Sequence, residues 1–438
     1  MKYNVVFVFS DQHRLQATGY AGDPNVNTPN MDRLREIGTD FLYAISNCPV
    51  CSPNRASLIT GQYPLTHRVV FNDVTLSPDA TSIAHAFKNS GYDTAYIGKW
   101  HLNGKGRSSY IPPEERLGFD FWRVLECTHN YNNSFFYGDD DVRRKWEGYD
   151  VFAQTNCAIE YIKEQRKKDK PFFLMLSWGP PHDPYNIAPS EYRKRFKDKE
   201  LDLRPNVPVY TKPYVLRNLP GYYAHVEAID DALGKLMDVI DDNTIFVYTS
   251  DHGDMLGSQG LGKKQKPYDE SIRIPFLMKL PGESIKSFDE MFNTPDIAPT
   301  LLGLCGIEVP KTMEGRDLSE VIRGRKKVEE TAAFIMNIAP FGEYARCFGG
   351  REWRGLRTKR HTYVISKAGP WLLFDNKKDP YQLNNLIESE DYRQIREELH
   401  EELLKVMEER NDDFLFGDEY AEMWGYNLDD NGTVIYNW

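Results

Sequence analysis

Four short apolar runs, at residues 4–9, 94–97, 172–177 and 244–249, each break off into polar residues with chemical potential. Runs this short, bounded by turn-forming residues, read as buried strands. Between them lie segments of helical spacing at 30–37, 80–90, 151–167 and 222–240; the last repeats Ala228, Ala232, Leu236 and Ile240. Strands alternating with helices predict an α/β fold with a large, mostly parallel sheet flanked by helices on both faces. In such sheets ligands bind beyond the carboxyl ends of the strands. Here those ends read Ser10-Asp11-Gln12-His13, Gly98-Lys99-Trp100-His101, Pro181-His182-Asp183-Pro184 and Ser250-Asp251-His252-Gly253-Asp254. Four such endings predict one site assembled at a common sheet edge.

Beyond residue 325 the texture changes. A polar stretch at 323–327 precedes strand-like pieces at 332–336, 355–358, 362–366 and 371–375, which suit a small antiparallel sheet. Residues 388–411 form a charged amphipathic helix pattern with Ile395, Leu399, Leu403 and Met407 on one face. The aromatic tail (Phe414, Phe416, Tyr420, Trp424, Tyr426, Tyr436 and Trp438) is expected to pack back on the body. The chain therefore divides into an α/β domain at 1–325, carrying the predicted site, and a C-terminal subdomain at 326–438.

A net charge of −11 argues against nucleic-acid binding, which needs a basic face to displace phosphate counterions. It does not forbid an anionic substrate, because a local pocket can oppose the global charge. No apolar run approaches the roughly 20 residues of a membrane span. The run at 5–9 is shorter than the roughly 7–15 residues of a secretory signal core, so the expected location is cytoplasmic. Six cysteines in 438 residues are too few for a disulfide scaffold. Cys127, Cys157, Cys305 and Cys347 are expected as buried or half-buried thiols.

Asp11, Gln12, Asp251 and His252 offer two carboxylates, an amide oxygen and an imidazole, a donor set for a divalent cation. Singly, Asp11 or Asp251 would equally suit a turn cap; as strand-terminal Asp-Gln and Asp-His pairs they favour metal. Lys99 and His101, two apart at a strand end, fall on one side of the chain, with Lys suited to an oxyanion and His to proton transfer. His182, between prolines, is presented on a stiff backbone.

The stretch from Cys51 to Gly61 reads as a loop entering a helix, with Pro53 in its first turn and Gly61 at its end. Cys51 then sits at a helix N-terminus, where its thiol pKa falls, and Arg55, one turn on, can point back at the same anion. Three readings compete: a Cys-x-x-Cys pair with Cys48, a thiolate nucleophile, and a third that comes from resemblance. The segment Cys51-Ser52-Pro53-Asn54-Arg55-Ala56-Ser57-Leu58-Ile59-Thr60-Gly61 resembles the signature of type I sulfatases, whose cysteine is oxidised to formylglycine by a maturation enzyme. Asp11-Gln12, Gly98-Lys99-Trp100-His101, Pro181-His182-Asp183-Pro184, Asp251-His252-Gly253, the segment from Lys264 to Pro275 and residues 296–302 resemble further family segments, in order.

The resemblance implies the alkaline-phosphatase-like fold and a sulfuric ester hydrolase acting on a sulfated mono- or oligosaccharide. It implies one divalent metal, Ca²⁺ or alternatively Mn²⁺ or Mg²⁺, held by Asp11, Gln12, Asp251 and His252 with position 51. One oxygen of the formylglycine diol attacks sulfur. Lys99 and Lys264 balance the sulfate oxygens, and Arg55 orients the diol. His182 protonates the leaving alcohol, with Lys264 as the alternative acid. His101 helps the second hydroxyl expel sulfate. His129, in the polar loop 126–133, is a candidate sugar contact. The Asp-Gln and Asp-His pairs resemble the versions in phosphonate monoester hydrolases and some bacterial sulfatases, which leaves phosphonate or phosphate ester hydrolysis as the alternative, whereas Lys99 argues for sulfate. A non-catalytic protein that binds anionic saccharides through an unconverted Cys51 is the third reading.

Overall fold

The first apolar run becomes β1 (Asn4–Asp11), whose side chains alternate between two cores. Val5, Phe7 and Phe9 enter one hydrophobic layer, and Val6 and Val8 enter the other. A strand can be apolar at successive positions only when both faces of its sheet are covered. The computed structural model describes residues 2–282 and 285–435.

After β1 come β2 (Thr39–Ile45), β3 (Asp93–Lys99) and β4 (Phe121–Leu125). A small separate hairpin follows, β5 (Phe135–Phe136) with β6 (Arg144–Lys145). Then come β7 (Phe172–Pro181), β8 (Thr244–Ser250), β9 (Phe276–Lys279) and β10 (Ser287–Asn293). The large sheet has eight strands in the order β10-β2-β9-β8-β1-β7-β3-β4. Its pairings are parallel except those of β9, which runs antiparallel to β2 and β8. Val5 lies opposite both Phe173 and Ile245, so β1 is flanked by strands that arrive much later in the chain. The polar ends of β1, β3, β7 and β8 therefore emerge along one edge.

Helices Pro29–Ile37, Asp150–Gln165 and Lys212–Met237 cover one face through Met31, Leu34, Val151, Ile162, Ala228 and Leu236. Helices Cys51–Thr60, Ile83–Asn89 and Thr294–Leu304 cover the other. Helix Lys212–Met237 begins ten residues before the expected start at 222 and stops short of Ile240. Pro213 falls in its first turn, where the missing N–H costs nothing. Pro220 lies inside it, and the burial of Val215 and Leu219 carries the helix across a residue that read as a break.

The C-terminal sheet consists of β11 (Ala333–Asn337), β12 (Trp353–Arg357), β13 (His361–Ser366) and β14 (Gly369–Asp375), antiparallel in that order. One face, with Ile335, Trp353, Val364 and Phe374, packs on Ile45, Ile272 and Met291 of the large layer. The other receives Leu399, Leu403 and Met407 from helix Arg393–Glu409. The tail folds back as expected: Tyr420 is buried, and the Tyr426 hydroxyl donates to the Arg68 carbonyl at 3.0 Å. Tyr436 and Trp438 lie outside the described residues.

All six cysteines are free thiols. Cys347 corrects the expectation of burial. It is exposed because it sits on a short outer turn, Arg346–Phe348, whose Phe348 also faces solvent. Among the described residues no helix is long and apolar enough to cross a membrane. Leu403, fully buried between helix and small sheet, provides a test of this docking. Leu403→Ala should lower the unfolding free energy by about 2–5 kcal/mol in urea titration.

Candidate active site

Cys51 opens helix Cys51–Thr60, buried at the end of the loop that follows β2, and Gly61 closes the helix in the left-handed conformation. Around the thiol stand the Lys264 ammonium (2.8 Å to Sγ) and His252 Nε2 (3.3 Å). Burial pushes the Cys51 thiol up, but Lys264, Lys99 and His252 outweigh it and hold the pKa well below the ordinary value. Cys48 has no such company. Burial pushes its thiol up to about 12, so the two sulfurs do not behave as a redox pair.

Arg55 departs from its expected place. Its guanidinium donates through Nε to Asp251 Oδ2 (3.1 Å), through Nη2 to Asp11 Oδ2 (2.9 Å), and through Nη1 to the Lys99 carbonyl (3.0 Å) and Ser177 Oγ (2.8 Å). With four of its five donors on Asp11, Lys99, Ser177 and Asp251, Arg55 fixes the two carboxylates rather than the group at position 51. Lys99 Nζ adds a 2.7 Å contact to Asp11 Oδ2. Burial and the Cys51 thiolate push Asp11 up, but Lys99, His182 and Arg55 prevail and hold it well below the usual carboxylate range. Asp251 is raised by burial and by the charge on Asp11. A cation between these carboxylates would relieve that repulsion.

The donor geometry fits such a cation. Ligand atoms of Asp11, Cys51, Asp251 and His252 lie within 4.8 Å of one another. The Oδ2 atoms of both aspartates face Arg55, which leaves each Oδ1 turned towards Cys51 or His252. His252 Nδ1 lies 3.0 Å from the Gly253 carbonyl, an acceptor, so Nδ1 carries a hydrogen and Nε2 is the nitrogen turned to the cluster, the one that would ligate a cation in place of its own proton. Gln12 holds a left-handed φ of 69°. Its Nε2 donates to Asp254 Oδ2 (2.7 Å) and the Tyr185 hydroxyl (3.3 Å), while Oε1 is buried with no hydrogen-bond partner among the described residues. An amide oxygen left bare beside two carboxylates suits a hard divalent cation.

His101 Nε2 lies 2.8 Å from Asp73 Oδ1, and His101 also helps stabilise the Cys51 thiolate. Burial lowers the His101 pKa, but Cys127 and Asp73 outweigh it and lift it to about 9, against the opposing charge of Lys99. His182 stacks on His129, with ring centroids 4.8 Å apart. Burial, His182 and Lys99 bring the His129 pKa down to about 3, which keeps that ring neutral. Of the loop 126–133, Glu126 instead accepts the backbone N–H groups of Asn103 and Gly104, and Tyr131 is buried with its hydroxyl on the carbonyls of His182 and Asp183.

Cys51, Lys99, His101, His129, His182 and Lys264 line one recess of about 150 Å³. Its rim adds residues that the sequence did not single out: Asn72, Arg107, Lys263, Phe341 and Glu343. Phe341 and Glu343 come from beyond residue 325, so the site draws on both parts of the chain. Asp254 and Tyr185 were also missed as the holders of Gln12. Asp254 alone gave a signal, three residues after Asp251 at the same strand end.

The family model "Sulfatase" matches residues 3–307, and "N-sulphoglucosamine sulphohydrolase, C-terminal" matches residues 257–409. The chain is 42% identical to an ulvan-active sulfatase of Formosa agariphila, covering 100% of this chain and 87% of the relative. It is 32% identical to an endo-4-O-sulfatase of Bacteroides thetaiotaomicron, covering 93% and 92%. The crystal structure of a candidate sulfatase from Bacteroides fragilis superposes with a TM-score of 0.86 at 30% identity, covering 96% and 97%.

If Asp254 orients Gln12 towards a cation, Asp254→Asn should weaken Ca²⁺ or Mn²⁺ binding about 10–100-fold. Calorimetric titration of the metal into metal-stripped protein checks this, and the thermal melting of the stripped variant reports whether its fold is intact.

Proposed function

The chain belongs to the type I sulfatase family, and we propose that this sulfatase releases inorganic sulfate from a sulfated saccharide through formylglycine made from Cys51. Sulfate-ester hydrolysis follows from the family and from relatives that act on sulfated glycans. The observation that carries the finer reading is the position of Cys51. It stands at a buried helix N-terminus, with Lys264 at 2.8 Å and the donor atoms of Asp11, Asp251 and His252 around it. A maturation enzyme would recognise the Cys51-to-Arg55 segment before folding buries it.

Asp11, Gln12, Asp251 and His252 would hold one divalent cation, with Ca²⁺ the first choice and Mn²⁺ or Mg²⁺ the alternatives. When bound, that cation supplies Lewis-acid polarisation of the sulfate and acidifies the formylglycine hydrate. Arg55 and Lys99 keep the Asp11 carboxylate ionised and fixed. Lys264 and Lys99 are buried in the recess lining and would balance negative charge on the sulfate oxygens, where burial strengthens each contact. His182 lines the same recess and would protonate the leaving alcohol as the S–O bond breaks. His129 stacks on it and limits its rotation. His101 takes the proton from the remaining hydroxyl at position 51 when sulfate departs.

A recess of about 150 Å³ is of the size of one sulfated sugar residue, which supports a mono- or oligosaccharide substrate. The ulvan and endo-4-O-sulfatase relatives support polysaccharide-derived fragments as its source. The proposal includes a cytoplasmic place of work on imported fragments, which cell fractionation checks. Phosphonate ester hydrolysis is the second reading, because the Asp11-Gln12 and Asp251-His252 pairs resemble that branch.

The deciding experiment measures sulfate release from a panel of sulfated sugars, an aryl sulfate and a phosphonate monoester. It uses protein whose Cys51 conversion is confirmed by peptide mass. Preferred release from one sugar is the expected result, and turnover of the phosphonate alone would transfer the protein to the second reading. Cys51→Ala should abolish turnover while leaving thermal melting intact. His182→Ala should slow sugar sulfates, with their poor leaving alcohols, at least 10-fold more than the aryl sulfate; equal losses would remove His182 as the acid.

A further inference from the structure

Asp73 is buried beside the recess (2% exposed) and belongs to none of the segments that the family resemblance covers. Asp73 and His101 both hold left-handed φ angles of 66°. That conformation is uncommon outside glycine, although Asp and His tolerate it better than most, and here it fits a chain path fixed at both ends. The segment 72–76 spans two parts of the site. On one side it ties to the residue after Cys51: Asn72 Oδ1 accepts from Ser52 N (3.0 Å), and Asp73 N donates to Ser52 Oγ (3.4 Å). On the other it runs along the stretch that carries His101. Leu76 N donates to the Leu102 carbonyl (2.8 Å), and Thr75 Oγ1 donates to the Asn103 carbonyl (2.6 Å).

Between these anchors the Asp73 carboxylate meets His101 Nε2 at 2.8 Å. Arg107 grips the same carboxylate with two donors, Nε to Oδ1 (3.1 Å) and Nη2 to Oδ2 (2.7 Å), which fixes its plane. An ionised carboxylate only accepts, so the hydrogen lies on Nε2. The other ring nitrogen, Nδ1, is buried with no side-chain or backbone partner at hydrogen-bond geometry among the described residues. It is the nitrogen left for position 51: the charged ring steadies a thiolate there, and the ring that has lost its Nδ1 hydrogen is the form that acts as base.

We infer that Asp73 is a positioning residue for the sulfate-releasing half of the reaction, holding His101 by Nε2 so that the lone pair of Nδ1 faces position 51. The inference rests on the function proposed above. In that step Nδ1 takes the proton of the free hydroxyl at position 51. The O–H electron pair forms the carbonyl, the bond from carbon to the sulfate oxygen breaks, and its electrons leave with sulfate. An Asn at position 73 could turn its amide N–H towards His101 and favour the hydrogen on Nδ1, the wrong tautomer for this transfer. The same exchange in a Ser-His-Asp triad costs about 10⁴-fold in kcat.

The test follows Asp73→Asn, with Cys51 converted, on the panel sugar that wild-type protein desulfates. The expected result is a rapid burst of about one equivalent of desulfated sugar. Turnover then falls about 10²–10⁴-fold, and intact-protein mass shows sulfate retained on the chain. Wild-type turnover, or slow turnover with neither burst nor retained sulfate, would overturn the inference and leave Asp73 a structural residue. A second measurement needs neither conversion nor a variant: ¹⁵N spectra of the His101 ring in unmodified protein. A proton on Nε2, shifted far downfield by the carboxylate, supports the hold by Asp73, and a bare Nε2 overturns it. If converted wild-type protein releases no sulfate from any panel member, the proposed function fails, while the ring spectrum still decides how Asp73 holds His101.

Discussion

The whole site hangs on one buried guanidinium. Arg55, 1% exposed, sits one turn into the helix that begins at Cys51, and it reaches the ends of β1 (Asp11) and β3 (the Lys99 carbonyl), Ser177 within β7 and the residue after β8 (Asp251). A charge so fully removed from water persists only with complete pairing, and removing one partner of such a pair costs about 3–5 kcal/mol. Phe9 closes the remaining side, its ring 4.9 Å from the guanidinium carbon. The arginine therefore sets the distance between the reactive helix terminus and the two aspartates. Lysine could not replace it, because a single ammonium cannot span four acceptors in one plane.

Around this knot the local field opposes the global one. The chain carries a net charge of −11, yet Lys99, Lys264, Lys263 and Arg107 line the recess and outnumber its two acids, Asp183 and Glu343. Burial makes that arrangement effective. Screening by solvent is weak inside the recess, so an entering anion meets the nearby cations rather than the average charge of the surface. The same environment separates two cysteines only three residues apart. Cys48 is buried in the apolar core, and its thiol stays protonated. Cys51, equally buried, faces Lys264 and gains thiolate character.

Much of the framework was legible because it depends on local patterns. Apolar runs marked the central strands, and β1, β3, β7 and β8 formed where those runs stood, each extended by one to four residues at its carboxyl end. The extension is itself informative. Asp11 and Pro181 count as strand because the parallel ladder continues to them, opposite each other, past a register shift after Phe9. The antiparallel β9 and the early start of helix Lys212–Met237 were not legible. The first is a choice of strand partner, and the second is imposed by packing over Pro220; neither leaves a trace in local spacing.

For the site, the sequence by itself determined which residue types stand at the strand ends: two aspartates, a glutamine, lysines and histidines, with a cysteine opening a helix. Those identities sufficed to foresee a cation site beside a reactive residue. Only the tertiary structure decided how they divide the work. Arg55 turned from position 51 to the carboxylates because Asp11 and Asp251 converge on it from strands 240 residues apart. Gln12 exposes an oxygen rather than an amide nitrogen because Asp254 and Tyr185 claim the nitrogen. Asp73 meets His101, and Phe341 and Glu343 reach the recess, through contacts between segments far apart in the chain. Spacing along a sequence encodes which face a residue occupies, whereas the direction of a buried polar group is set by the partners that folding brings to it.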